Sequence, residues 1–316
     1  MKKAVLIVLL GIAMSAFAQD SSSGDAAPTG VAPTLVTFPT EKVRTPTTAD
    51  LYCAGFIGKS VVSRSKFVAG GLDSPFTTQF AQGEAVFLKG SGYEVGQEFS
   101  VVRELRDANR YELFPGQWSA IKAAGQPYAE LARVQIVDTR NRMAVAQIKY
   151  SCETILPGDY VIPFTEKTAV EFHPPIKFDR FAPANGQANG RIILAKDFDS
   201  ELGNGAKVYL NIGANQGLKV GDYLKAVRSY SATAHDPVES LSFEATTLEP
   251  TQKDQPAIDP NFFNRTSGPQ IHVADMPRRA VGEIVIVGTT PTTATGMIVF
   301  SLEPVLVGDR VELDQQ

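Results

Sequence analysis

The stretch that decides the fold is SLEPVLVGDRVEL, residues 301–313, because it repeats an earlier stretch, SCETILPGDYVIPF, residues 151–164. The match continues upstream without a gap. When residues 129–163 are aligned with residues 279–313, 11 of the 35 positions are identical. Solenoid repeats recur about every 20 to 50 residues. The two matching stretches here are much farther apart, as is typical of tandem domains. The sequence therefore predicts two copies of one module.

Weaker matches define the ends of the two modules. They pair residues 85–90 with 207–213, 95–103 with 220–228 and, most weakly, 55–57 with 190–192. We therefore predict a first module at residues 51–164, a linker at 165–189 and a second module at 190–316. The second module carries a long insertion, residues 229–278, between its two matching halves.

Hydrophobic alternation predicts that each module is built from short strands. In AVAQIKYSC, the side chains of Ala144, Ile148 and Cys152 fall on one face at period two, and polar side chains such as Lys149 fall on the other. Further strands are predicted at VFLKG, EFSVVR and DYVIPF, with a hairpin loop at residues 138–142. One helix is predicted near residues 117–124, between a proline and a glycine.

These elements predict the fold class. Many short strands separated by Gly-Asp turns indicate a small antiparallel barrel or sandwich, which we expect to contain about five to seven strands. The predicted fold is mainly β: two tandem small antiparallel β-barrel or sandwich modules, with one short helix in the first.

The recurring Gly-Asp motif is interpreted as turn chemistry. The motif occurs at Gly158, Gly221 and Gly308, and a Gly-Gln variant occurs at Gly96. Each time it lies between two predicted strands. Glycine adopts a positive φ without steric cost, and a following aspartate can hydrogen-bond to the backbone just beyond it. The alternative makes Asp159, Asp222 and Asp309 metal ligands or catalytic carboxylates. Gln97 replaces Asp222 in the first module, which argues against that alternative.

The two cysteines, Cys53 and Cys152, are predicted to form a disulfide. The second module has neither, since Leu302 takes the place of Cys152 and the weak match puts Ala188 opposite Cys53. Joint absence fits a bonded pair better than two unrelated thiols, and an exported chain meets an oxidising compartment. The alternative is that Cys152 packs as a small hydrophobe on the inner face of its strand.

The N-terminus predicts export. Lys2 and Lys3 precede a short apolar run, and small residues follow it at 16–18, so residues 1–18 read as a signal peptide and the mature chain is expected to begin at Gln19. The apolar run has about 11 residues, fewer than the roughly 20 that span a bilayer. Residues 19–50, rich in Ser, Thr and Pro, are predicted to be a disordered tether.

Charge and motif content argue against several classes of function. The net charge is −4, or about −6 once the signal peptide is removed, and no long basic run is present. Such a chain has no electrostatic reason to bind nucleic acid. The sequence also lacks zinc-ligand spacing, a nucleophile elbow and a phosphate-binding glycine loop. We therefore expect no catalytic residues, no metal site and no cofactor.

Candidate contact residues lie on long connections. Such loops on a rigid scaffold often carry binding sites. The insertion at 229–278 contains an aromatic pair, Phe262 and Phe263, which we predict as a contact patch; the alternative is a disordered excursion. Trp118 is a further candidate, as part of a passive groove that binds carbohydrate.

Two runs, VYLNIGANQGLKVGDYLKAVR and AVGEIVIVGTTPTTATGMIVFSLEPVLVGDRVEL, resemble the C-terminal domain of the flagellar assembly protein T family. They are also similar to the related domains attached to LysM modules in secretin-associated pilus proteins. The resemblance covers residues 207–313 and, in diverged form, 85–163. It implies a non-catalytic, β-rich module that packs against a larger envelope machine. Peptidoglycan binding does not carry over, because the chain has no LysM segment.

Three functional hypotheses follow. The leading one is an exported scaffold or binding protein of the periplasm, not membrane-spanning after cleavage, whose partners are other cell-envelope proteins of a flagellar, pilus or secretin machine. The second is a protein that binds peptidoglycan or another carbohydrate. The third is an envelope hydrolase, which the missing nucleophile and base signals disfavour.

Overall fold

The computed structural model describes residues 43–73, 76–106, 109, 111–140, 142–171, 178–181, 183–229 and 277–314. The protein is mainly β, with 44% strand and 8% helix, and contains two closed antiparallel barrels of six strands each. The predicted fold class is therefore confirmed. Both barrels belong to one compact unit. Within the described ranges, no helix is long and apolar enough to cross a membrane.

The first barrel is preceded by a short helix and carries one extra strand. Its elements are α1 (Thr48–Tyr52), β1 (Phe56–Gly58), β2 (Phe67–Gly71), β3 (Ala85–Lys89), β4 (Glu98–Glu104), α2 (Gln117–Ala124), β5 (Gln126–Arg140), β6 (Met143–Ser151) and β7 (Tyr160–Pro163). The barrel closes in the order β3–β6–β5–β4–β7–β2, and β1 pairs with the start of β5. The predicted helix and hairpin are both present, but β5 continues to Arg140, so the loop is shorter than the predicted residues 138–142.

The second barrel has six strands and a small separate sheet. Its elements are β8 (Asn189–Ala195), β9 (Glu201–Leu202), β10 (Lys207–Leu210), a 3-10 turn (Ala214–Gln216), β11 (Tyr223–Arg228), β12 (Arg279–Thr289), β13 (Ala294–Ser301), β14 (Val305–Leu306) and β15 (Arg310–Leu313). The barrel closes in the order β10–β13–β12–β11–β15–β8, and β9 pairs with β14 outside it.

The two barrels have the same topology. The strands correspond one to one around the two rings: β3 to β10, β6 to β13, β5 to β12, β4 to β11, β7 to β15 and β2 to β8. The predicted weak match of residues 55–57 with 190–192 is wrong, because the strand of the first barrel that corresponds to β8 is β2. Strand β1 lies outside the closed ring and extends β5. A match of three residues is too short to show whether β1 or β2 is the equivalent of β8.

A β-bulge corrects the predicted orientation of Cys152. The β5–β6 register shifts after Val134↔Ile148, and the β12–β13 register shifts at the same place, after Ile284↔Ile298. An extra residue in one strand reverses which face the following side chains occupy. Ile148 therefore lies in the barrel core, whereas Cys152 lies half-buried outside it.

The folded part begins before the predicted boundary at residue 50. Backbone N–H of Arg44 donates to the carbonyl of Val299, and Thr47 caps α1 in a capping box with Asp50. Side-chain hydrogen bonds at a helix start satisfy N–H groups that have no partner within the helix. At least residues 43–50 are therefore part of the fold rather than of a tether. The predicted signal peptide and residues 19–42 lie outside the described residues.

The outer face of the second barrel is covered by two other parts of the chain. Val43 and Leu51, from the N-terminal segment, and Val170 and Phe178, from the linker, pack against outward side chains of β12 and β13 such as Val299. Strands buried on both faces read as continuous apolar runs rather than as alternating ones. This burial explains why IVIV and MIVF occur in the second module.

The insertion begins and ends on adjacent strands. Arg228 at the end of β11 is the register partner of Arg279 at the start of β12. In the first barrel, the corresponding connection contains α2. The predicted patch of Phe262 and Phe263 lies outside the described residues, which resume at Pro277.

Candidate functional site

The glycines of the four turns have the predicted conformation. Their φ values are positive, at +91°, +95°, +96° and +110° for Gly96, Gly158, Gly221 and Gly308. The aspartates act in the turn as predicted, but each accepts a hydrogen bond from a residue three positions earlier rather than later. Asp222 accepts from Lys219 N–H at 2.7 Å, and Gln97 does the same for Glu94 at 3.2 Å. Gln97 therefore fulfils the turn role of an aspartate.

Two of these aspartates also bind an arginine, which the sequence interpretation missed. Arg103 donates two hydrogen bonds to Asp159, both 2.8 Å long, and Arg228 donates two to Asp309. Each arginine also donates to a backbone carbonyl of the preceding turn, at Thr154 and Pro304 respectively. The motif thus joins strands β4 and β7 in one barrel and β11 and β15 in the other. Both carboxylates therefore form contacts that stabilise the folded barrels.

A disulfide joins Cys53 to Cys152, as predicted. It attaches the segment after α1 to the outside of the first barrel. Beside it, Glu130 on β5 accepts hydrogen bonds from Gly55 N–H at 3.0 Å and from the Lys167 ammonium at 2.6 Å. The linker, β5 and the N-terminal segment therefore meet at one point.

The segment 54–57 passes between the barrels and is bound by side chains of the second. The Tyr209 hydroxyl donates to the carbonyl of Ala54 at 3.2 Å, and Thr295 donates to that of Gly55 at 2.9 Å. Thr293 donates to the carbonyl of Ile57 at 3.1 Å. These three donors lie on the outer face of β10–β13. That face therefore binds an extended segment of backbone.

Gly55 fits this junction because it has no side chain. Its φ is +72°, and a Cβ atom would lie 2.4 Å from the Tyr209 hydroxyl and 2.5 Å from the carbonyl oxygen of Tyr128. Both distances are shorter than any carbon–oxygen contact allows, and a positive φ strains other residues. The tyrosine ring is fully buried, and its burial raises the pKa of Tyr209.

Helix α2 also joins the barrels. Gln117 donates to the carbonyl of Ile193 on β8 at 3.0 Å, and Phe114 is buried in the same apolar cluster as the core of the second barrel. Glu112 caps the helix by accepting from the backbone of Gly116 and Trp118. The predicted contact residue Trp118 lies on the outer side, half exposed, and Tyr111, beside the capping residue, is exposed too.

The first barrel leaves open the face that the second barrel uses for the junction. Sequence and strand register make Phe87 equivalent to Tyr209, Met143 to Thr293 and Val145 to Thr295. The three hydrogen-bond donors are thus replaced by three apolar side chains. Phe87 and Met143 line an open groove of about 670 Å³, and Val145 is the cross-strand neighbour of Phe87.

Positive charge surrounds this groove. Its other lining residues are Lys89, Arg140 and Arg142. Arg140 pairs with Asp138 at 2.7 Å, whereas Lys89 and Arg142 make no side-chain ion pair with any residue that the structure describes. We call these five residues, together with Val145, the open face. It combines apolar side chains with three cations, two of which have no ion pair among the described residues, on a protein whose net charge is −4.

Glu283 is a buried carboxyl whose pKa is raised well above its ordinary value. It is buried on β12, and its Oε2 atom has no hydrogen-bond partner among the described residues. Burial and the nearby Asp314 carboxylate raise the pKa of Glu283 to about 7, although Lys225 opposes the shift. Lys225 itself pairs with Asp314 at 2.9 Å. In the described ranges, no group of three or more His, Cys, Asp or Glu side chains is arranged to hold a metal ion.

Comparison of the chain with models of known protein families finds no match, and comparison with curated proteins finds none either.

Proposed function

We propose that the chain is an exported, non-catalytic scaffold or binding protein of the bacterial cell envelope, and an accessory component of a machine of the flagellar, pilus or secretin type. The open face carries this proposal. The equivalent face of the second barrel is buried in the junction, and an apolar patch that stays exposed is typical of a binding surface. The first barrel has such a surface at Phe87 and Met143.

The construction of the molecule also supports a scaffold role. The junction holds the barrels together through α2, the disulfide-linked segment and an ion pair between Lys196 and Glu153. A disulfide suits an oxidising compartment, as expected for an exported protein. The interface side chains are therefore held on a rigid support, which lowers the entropy lost on binding.

Two measurements test the proposal. N-terminal sequencing of the protein from a periplasmic extract should give a chain that begins at Gln19. Chemical cross-linking in intact cells, followed by affinity purification and mass spectrometry, should enrich envelope proteins over a tagged, exported control protein. A chain that retains Met1, or cross-links to cytoplasmic proteins alone, would contradict the proposal.

A carbohydrate-binding role is the second candidate, and one observation favours it. Trp118 and Tyr111 are both exposed beside the start of α2. Aromatic rings with one apolar face and one polar edge are suited to exposed contacts. Co-sedimentation with purified peptidoglycan sacculi tests this role. Binding that Trp118→Ala and Tyr111→Ala abolish would favour carbohydrate, whereas sacculi that retain no more protein than buffer would remove this candidate.

A further inference from the structure

We propose that the open face binds an extended acidic peptide segment that carries apolar side chains and belongs to another protein. This inference rests on the proposed function, since it assigns a partner class to the same face. Its starting point is the equivalent face of the second barrel. There, Tyr209, Thr293 and Thr295 hold the extended segment 54–57 through its carbonyl groups.

The replaced side chains determine what the first barrel binds. Phe87, Met143 and Val145 cannot donate hydrogen bonds to carbonyl groups. Phe87 and Met143 offer an apolar surface at the same place, and Val145 beside them is 9% exposed. Methionine is flexible and polarisable, and it adapts to varied apolar partners. The peptide therefore contributes apolar side chains to the groove, in place of the backbone contacts made in the second barrel.

The charges determine the flanking residues of the peptide. Lys89, Arg140 and Arg142 bring three cations to the groove, and Asp138 offsets one of them. In the second barrel, the equivalents of these cations are Asn211, Thr290 and Thr292, which are all neutral. Charge complementarity steers association and selects among partners. Acidic residues next to the apolar ones match this arrangement.

The segment comes from another protein rather than from a second copy. Among the residues that the structure describes, the segment that occupies such a face is 54–57, and it is already enclosed between the two barrels. Its carbonyl groups are bonded to the second barrel, and Gly55 N–H is bonded to Glu130. A second copy cannot offer this segment without opening its own junction.

Fluorescence anisotropy with labelled synthetic peptides tests the inference on the mature full-length protein. The probe is a peptide of about 12 residues that alternates Glu or Asp with Leu or Phe, in about 50 mM NaCl so that charges are weakly screened. One control peptide carries Gln in place of the acids, and the other carries Ser in place of Leu and Phe. We expect the probe to bind at least about tenfold more tightly than either control.

Variants of the open face complete the test. Lys89→Glu with Arg142→Glu should weaken probe binding at least about tenfold, whereas Lys59→Glu with Lys219→Glu, at exposed sites elsewhere, should leave it unchanged. Met143→Thr with Val145→Thr copies the second barrel and should also weaken binding. Circular dichroism and thermal unfolding establish that each variant is folded.

Three results would overturn the inference. The probe could bind no better than the two control peptides, or bind the Lys89→Glu, Arg142→Glu protein as tightly as the wild type. Analytical ultracentrifugation could instead reveal dimers that this variant dissociates, which would make a second copy the occupant. If cross-links to envelope proteins then formed at other surfaces, the proposed function would still hold, but the acidic peptide would not be the partner of the open face.

Discussion

Arg228 and Asp309 form a bidentate ion pair in which the aspartate side chain is completely buried and the arginine is 5% exposed. Its counterpart in the first barrel, Arg103 with Asp159, has the same two hydrogen bonds, but there the arginine is 33% exposed. The pair therefore occurs twice in one molecule with different access to water. This difference allows the effect of burial to be measured within a single protein.

Asp309→Ala should destabilise the protein by about 3–4 kcal/mol, because the buried Arg228 loses its bidentate partner and keeps only the Glu303 carboxylate, 3.3 Å away. Asp159→Ala should cost less, about 1–3 kcal/mol, since water reaches Arg103. Asp222→Ala removes only a turn hydrogen bond and should cost about 1 kcal/mol. Urea unfolding monitored by circular dichroism checks this order. Equal losses for the first two variants would contradict a role for burial.

The disulfide should stabilise the molecule by constraining a long loop. It closes 99 residues of chain, for which loop entropy allows about 4–5 kcal/mol at most. We expect Cys152→Ser and Cys152→Leu to lose similar amounts, within about 1 kcal/mol of each other, since position 152 lies outside the barrel core and burial contributes little. Non-reducing mass spectrometry should find no free thiol in the wild type. If Cys152→Leu were clearly more stable than Cys152→Ser, position 152 would lie in the barrel core, which would contradict the bulge.

Glu283 should make stability depend on pH. Its pKa is about 7 when folded and 4.5 in the reference state, so the unfolded chain loses its proton first as pH rises, and stability falls between pH 4.5 and 7. Glu283→Gln removes this loss. We expect the variant to match the wild type near pH 4.5 and to exceed it by up to about 3 kcal/mol at pH 8.

Thermal unfolding of Glu283→Gln across this pH range provides the measurement. Glu201→Gln, at an exposed position on β9, controls for the loss of one negative charge. A difference between Glu283→Gln and wild type that stays constant with pH would mean that Glu283 ionises normally in the folded protein.

Gly55→Ala should loosen the junction between the barrels. The new Cβ atom meets Tyr209 and Tyr128, and the positive φ adds strain. Gly83→Ala is the matched control, because Gly83 has φ +92° and no atom within 4 Å of the position of a Cβ atom. We expect about 1 kcal/mol from strain alone at Gly83 and at least about 2 kcal/mol more at Gly55. Equal losses in calorimetry would show that the close contact at Gly55 is relieved without cost.

The duplication was visible in the sequence because the residues that form barrel cores and turns repeat at a fixed spacing. Gly158 and Gly308, and Ile148 and Ile298, occupy equivalent places in both chain and structure. The bulge was not visible, because an extra residue in one strand leaves a short apolar pattern readable in either register. The predicted alternation was therefore correct to Ile148 and reversed at Cys152.

The junction and the arginine pairs were missed for another reason. An arginine at a strand end, such as Arg228, reads as a solvated residue until its distant partner is known. Tyr209 and Gly55 are likewise far apart in sequence. A signal for the open face was nevertheless present: aligning the modules puts Phe87 against Tyr209 and Val145 against Thr295. This difference between the modules can be interpreted only once the structure shows that Tyr209 binds the segment 54–57.

The binding of the segment 54–57 also sets the order in which the molecule can be completed. The hydrogen bond from Thr295 to Gly55 joins residues 240 positions apart, and the contact of Arg44 with Val299 joins residues farther apart still. Because the chain is synthesised from its N-terminus, this segment is complete long before β13 is made. Native closure of the N-terminal segment must therefore wait for the last barrel, and contacts of such high sequence separation are slow to form. Until β13 has formed, the N-terminal segment lacks these native hydrogen bonds.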